Sequence, residues 1–114
     1  MKQKKKNSSD EVQIGFTAGQ EDVDALRSVA DSICASENAA VKFCLRGAAS
    51  CLARSTSGMQ SIALSVNVAT NPVNKHFRLR EIDREHIREI SKKYGFETDR
   101  DAIRFAIRFQ AKRI

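Results

Sequence analysis

The sequence predicts a mostly helical fold carrying one short antiparallel β-ribbon. Strand–helix–helix runs twice along the chain, with an extra strand or hairpin in the linker. Three observations predict it. Val12-Gln13-Ile14-Gly15-Phe16-Thr17 and Lys75-His76-Phe77-Arg78-Leu79-Arg80 both alternate apolar and polar residues, as half-buried strands do. Each is followed by apolar residues at helical spacing and then by a Ser or Thr placed to cap a second helix. The two halves also match residue by residue over that second helix.

In the first strand Val12, Ile14 and Phe16 share one side, leaving Gln13, Gly15 and Thr17 on the other. In the second, Phe77 and Leu79 share a side opposite His76, Arg78 and Arg80. A single short strand with one apolar face is not stable alone, so the two are expected to pair. Leu26, Val29 and Ile33 mark the first helix of one half, and Ile87, Ile90 and Tyr94 its counterpart. Gly95 ends the latter run where a left-handed residue is wanted. Ser36 and Thr98 then align as caps, and Ala-Val-Lys-Phe beginning at Ala40 lies over Ala-Ile-Arg-Phe beginning at Ala102, with a one-residue shift in the preceding loop. Ala102, Ile103, Ala106 and Ile107 form one stripe.

The connecting segment is read in two ways. Ser55-Thr56-Ser57-Gly58 is a helix stop, and Ile62, Leu64, Val66 and Val68 alternate with Ala63, Ser65 and Asn67 as in a strand. Thr70-Asn71-Pro72 then makes a turn. In the preferred arrangement this strand is an addition to the ribbon or covers its edge. In the other, Ser65 and Asn67 face outward from the reading strand, and Asn71 caps a longer helix from Pro72 with Phe77 and Leu79 in its core. The expected organisation is a flexible basic arm at 1–10, a first module at 11–58, a linker with an extra strand at 59–74 and a second module at 75–114.

The 114 residues make one compact unit or two half-domains sharing a core. The net charge of +6 is unevenly spread. Lys2, Lys4, Lys5 and Lys6 open the chain without an acid. Residues 10–58 hold four basic and seven acidic side chains, net −3, while residues 74–114 hold twelve and seven, net +5. Such a basic excess is the footprint of a polyanion partner, although much of it alternates with Glu on helix faces. Neither a membrane span nor the apolar core of a signal peptide is visible, which predicts a cytoplasmic protein. Cys34, Cys44 and Cys51 show no metal-ligand spacing with His76 or His86, so no metal is expected. The absence of a nucleotide-binding loop, of Gly-x-Ser-x-Gly and of His-Glu-x-x-His predicts no cofactor and no enzyme, but a protein that binds.

This order of elements resembles the ribbon-helix-helix family of DNA-binding proteins, the Arc and Met repressor superfamily. The residues that carry the resemblance are Phe77-Arg78-Leu79, Ile87-Arg88-Glu89-Ile90, Lys92-Lys93-Tyr94-Gly95 and Ala102-Ile103-Arg104, a little over a third of the chain. Arg80 departs from the Pro or Thr often found there, and Asp83-Arg84 is more polar than the usual helix start. With its internal repeat the chain looks like a tandem, single-chain pseudo-dimer, as in the conjugation accessory group.

That resemblance implies a two-stranded ribbon in the DNA major groove, where Arg pairs with guanine and Gln or Asn with adenine. The expected base readers are Gln13, Thr17, His76, Arg78 and Arg80, with Ser65 and Asn67 as the alternative reading strand. Phosphates would be held at the helix starts by Ser36, Thr98 and Arg100, and by Lys4, Lys5 and Lys6 of the arm. Glu37, Asp99 and Asp101 near those starts favour plain capping instead. The expected function is a sequence-specific double-stranded DNA-binding regulator of transcription in a bacterial plasmid or mobile element. The alternative is a DNA-bending accessory protein of a conjugative relaxosome. An antitoxin is the weaker choice, because the chain stops about where the last helix should end. Beyond DNA, the partners considered are a second copy on the DNA, a relaxase and RNA polymerase. Two unlike reading strands predict an asymmetric subsite for each chain.

Overall fold

The computed structural model describes residues 11–54, 57–64 and 73–113. Lys4, Lys5 and Lys6 of the arm, and Ser65 and Asn67 of the linker, lie outside the described residues. The element order is β1 (Val12–Ala18), α1 (Gln20–Ser32), α2 (Glu37–Ser50), a short 3-10 turn (Leu52–Arg54), α3 (Ser57–Leu64), β2 (Val73–Leu79), α4 (Glu81–Tyr94) and α5 (Asp99–Ala111). Strand–helix–helix therefore occurs on both sides of α3. The two strands form one antiparallel sheet.

The ribbon buries one face. Phe16, Ala18, Phe77 and Leu79 point into the core, with Ile14 half-buried beside them. Beneath lie Leu26 and Val29 of α1, Val41 and Leu45 of α2, and Ile87 and Ile90 of α4. Ile103, Phe105, Ala106 and Ile107 make α5 the most enclosed helix, packed against α1, α2, α3, α4 and β1. Full burial of one such Leu, Ile or Phe is worth about 1.5–3 kcal/mol, so this apolar stack is what holds the ribbon flat against the helices.

Local signals recur at a constant offset in the two halves. Asp22 in the first turn of α1 accepts a hydrogen bond from the Gly19 N–H at 3.1 Å, and Asp83 accepts one from the Arg80 N–H at 3.0 Å in α4. The polar start of α4 is thus a capping device. At the other end of these helices Cys34 and Gly95 occupy equivalent places, and both are left-handed, with φ of 53° and 71°. The next loop is one residue longer in the second half. Ser36 caps α2 through a bond from the Ala39 N–H at 3.1 Å, and Thr98 caps α5 through one from Asp101 at 3.4 Å.

The halves differ where that extra residue falls. Phe96 packs near Tyr94 and Phe105, with ring centroids 5.9 and 6.0 Å away. Phe105 is fully enclosed as a result, while its counterpart Phe43 remains 39 % exposed.

The linker departs from expectation. Ile62, Ala63 and Leu64 belong to α3, not to a strand, and Gly58 lies inside that helix instead of stopping one. Met59 and Ile62 sit three apart, as one helical face requires, and both are buried. The run Ile62-Ala63-Leu64 is too short to fix a period, and helical packing on α5 decided it. The longer helix from Pro72 is also overturned, because Val73–Leu79 is extended and paired with β1. β2 thus starts before the expected residue 75 and ends one short of Arg80.

Opposite charge joins the halves. The Asp22 carboxylate is wholly buried and lies 2.9 Å from Arg104 Nε and 2.7 Å from Arg108 Nε. Arg104 also donates to the Thr17 carbonyl, bridges to Asp101 and lies over the Phe16 ring. Lys75 meets Glu37 at 2.8 Å, Arg108 meets Glu21 at 3.3 Å, and Arg80 approaches Glu11 at 3.7 Å. Part of the basic excess in residues 74–114 is therefore balanced by acids of the first half.

Candidate nucleic-acid interface

The ladder pairs Gln13 with Arg78, Gly15 with His76 and Thr17 with Asn74, and these six positions form the outer face. Directly opposed residues project to the same side, so the alternation read from sequence is realised in both strands. Gln13, Asn74, His76 and Arg78 are exposed, and Thr17 is half-exposed. Among the described residues the side chains of Gln13, His76 and Arg78 make no hydrogen bond or ion pair. An added Cβ at Gly15 would lie 3.6 Å from His76 Cδ2, so the histidine ring covers the glycine.

The equivalence of the halves exchanges Gln13 with Asn74 and Thr17 with Arg78, and it exchanges Gly15 with its own ladder partner His76. The Gly15–His76 pair therefore lies at the centre of the ladder.

Two side chains close the outer edges of the ribbon at equivalent residues. The Asn38 amide donates to the Arg78 carbonyl at 3.1 Å, and its oxygen accepts from the Arg78 N–H at 2.8 Å. The Arg78 backbone therefore faces away from β1, leaving Gln13 and Arg78 as a non-hydrogen-bonded pair with closely spaced side chains. At Thr17 the carbonyl is taken by Arg104 instead.

Of the expected base readers, Gln13, Thr17, His76 and Arg78 share this face. Arg80 lies just beyond the ladder as the N-cap residue of α4, 66 % exposed. It shares Glu11 with Lys42, whose Nζ is 3.9 Å from that carboxylate. Asn74 was missed by sequence reading because the strand was started at residue 75. Its signal was the continued alternation Asn74, His76, Arg78. Asn38 gave no sequence signal, since its partner is backbone far along the chain.

At the helix starts, Ser36 and Thr98 are caps, and Arg100 is exposed on the first turn of α5. Two nearby acids that would repel a phosphate are engaged by cations, Glu37 by Lys75 and Asp101 by Arg104. Among the described residues there is no cluster of three or more metal-ligating side chains, and no helix long and apolar enough to cross a membrane. Compared with protein-family models, curated proteins and solved structures, the chain matches none.

Proposed function

We propose that this chain is a single-chain ribbon-helix-helix pseudo-dimer, a sequence-specific regulator that binds double-stranded DNA and catalyses nothing. The supporting observation is the outer ribbon face, where the side chains of Gln13, His76 and Arg78 stand exposed and, among the described residues, without partners over an apolar backing. A surface ribbon gains no stability from such residues. They match the donors and acceptors of base edges in a major groove, which is wide enough for two strands.

Alternate residues of a strand are about 6.8 Å apart, close to two base-pair steps, so three outward positions per strand span roughly five base pairs. Arg80, Lys42 and Arg100 flank the ribbon and act on phosphates, with the starts of α2 and α5 beside them. Gln13, His76 and Arg78 contact bases, while Thr17 and Asn74 lie beside them on the same face.

The test is selection of bound duplexes from a random pool at near-physiological salt, with the Arg78→Ala chain in parallel. A defined motif for the natural chain that weakens or vanishes for the variant supports the reading. Failure of the natural chain to enrich any motif overturns it.

A further inference from the structure

We propose that the ribbon reads DNA directionally. The Gln13–Arg78 end carries the discrimination, and the Thr17–Asn74 end contributes little beyond fit. The proposal rests on the DNA-binding reading above and adds a polarity to it: one strong half-site beside one weak half-site.

The central Gly15–His76 pair makes the two ends comparable, and they are chemically unequal. At one end Arg78 and Gln13 are opposed, both long, both exposed and both free of side-chain partners among the described residues. Guanidinium and carboxamide groups are the side chains able to form two hydrogen bonds with guanine and with adenine. At the other end Thr17 Oγ1 donates to Asn74 Oδ1 at 3.4 Å, so two short side chains engage each other. Thr17 is also half-buried.

The supports are unequal in the same sense. Asn38 grips both the N–H and the C=O of Arg78, which fixes where its side chain leaves the ribbon. A backbone anchored this way loses less freedom on binding. At Thr17 the carbonyl alone is held among the described residues, and the guanidinium that holds it is occupied by the buried Asp22. The position equivalent to Asn38 is Arg100, an exposed cation suited to a phosphate. Around the Arg78 end, Arg80 and Lys42 supply two cations to the single carboxylate of Glu11. His76 sits at the centre above Gly15, so the Arg78 and Gln13 contacts fall about two base-pair steps to one side of it.

The experiment uses the full chain and its selected duplex, changing each base pair in turn and measuring affinity for four proteins. These are the natural chain, Arg78→Ala, Asn38→Ala and the double variant Thr17→Ala, Asn74→Ala, with melting temperatures recorded for each. The natural chain is expected to show steep base preferences on one side of the site centre. Arg78→Ala should remove discrimination of roughly 5- to 150-fold there, the range of one bidentate contact. Asn38 is a positioning residue, so Asn38→Ala should weaken preference at the same base pairs and leave affinity for unrelated duplex unchanged. The Thr17, Asn74 variant should retain every preference. A palindromic pattern of preferences, or equal losses from the two ends, overturns the polarity while leaving DNA reading intact. Equal affinity of the natural chain for every duplex overturns the DNA reading itself.

Discussion

Asp22→Ala should be the most damaging single substitution among the charged residues, and Asp83→Ala at the equivalent place should be mild. Both aspartates accept a bond from the preceding N-cap amide, at 3.1 and 3.0 Å. Only Asp22 is also clasped by Arg104 and Arg108, at 2.9 and 2.7 Å, with no solvent exposure of its side chain. Removing one partner of a buried pair costs about 3–5 kcal/mol, because the remaining charge is stranded. Loss of a capping contact alone costs about 1 kcal/mol. The unfolding entropy of a domain of this size is about 0.24 kcal/mol/K, from roughly 2.1 cal/mol/K per residue. Asp22→Ala should therefore lower Tm by about 12–20 °C, and Asp83→Ala by about 4 °C. Thermal unfolding followed by circular dichroism, repeated in urea, measures both. Equal shifts for the two variants would refute the argument that a buried charge cluster, and not helix capping, joins the halves.

Further predictions concern the turn and the thiols. Gly95→Ala should lower stability by about 1 kcal/mol, since φ of 71° disfavours a side chain, whereas Cys34→Gly should raise it by up to about 1 kcal/mol; urea midpoints report the signs. Burial pushes the Cys44 thiol up to about 12. Burial would raise Cys51 as well, but a hydrogen bond from Arg113, one shared with Ser50, and the charges of Arg113 and Arg54 bring it below its ordinary value. Iodoacetamide at pH 8 should thus modify the exposed Cys34 first, then Cys51, which is buried but more readily ionised, and Cys44 last, as peptide mass mapping would show. A raised thiol pKa favours the folded state fully below the unfolded value near 9.0 and loses that support as pH climbs toward about 12. Cys44→Val should flatten this alkaline decline in urea titrations at a series of pH values.

Much of the ribbon was legible because strand alternation is a short-range signal. Phe16, Phe77 and Leu79 turned inward and Gln13, His76 and Arg78 outward as read. The caps at Ser36 and Thr98 and the left-handed Gly95 were legible for the same reason. Arg104 and Arg108 were not. At helical spacing among acids they look like surface charges, and only the tertiary approach of α5 to Asp22 buries them. The left-handed Cys34 was hidden because cysteine is no turn former; the closing bond from the Ala35 N–H to the Ala30 carbonyl at 2.9 Å accompanies it. The linker misled because Ile62 and Leu64 alternate, yet Met59 and Ile62 supply the helical face that packs.

The most direct test of the account is a titration of the isotopically labelled full chain with its selected duplex, followed by nuclear magnetic resonance. The largest amide shifts are expected at Gln13–Thr17 and Asn74–Arg78, with smaller ones at the first turns of α2 and α5. Shifts concentrated instead around Lys92 and Lys93 at the end of α4, with the ribbon unmoved, would contradict the account.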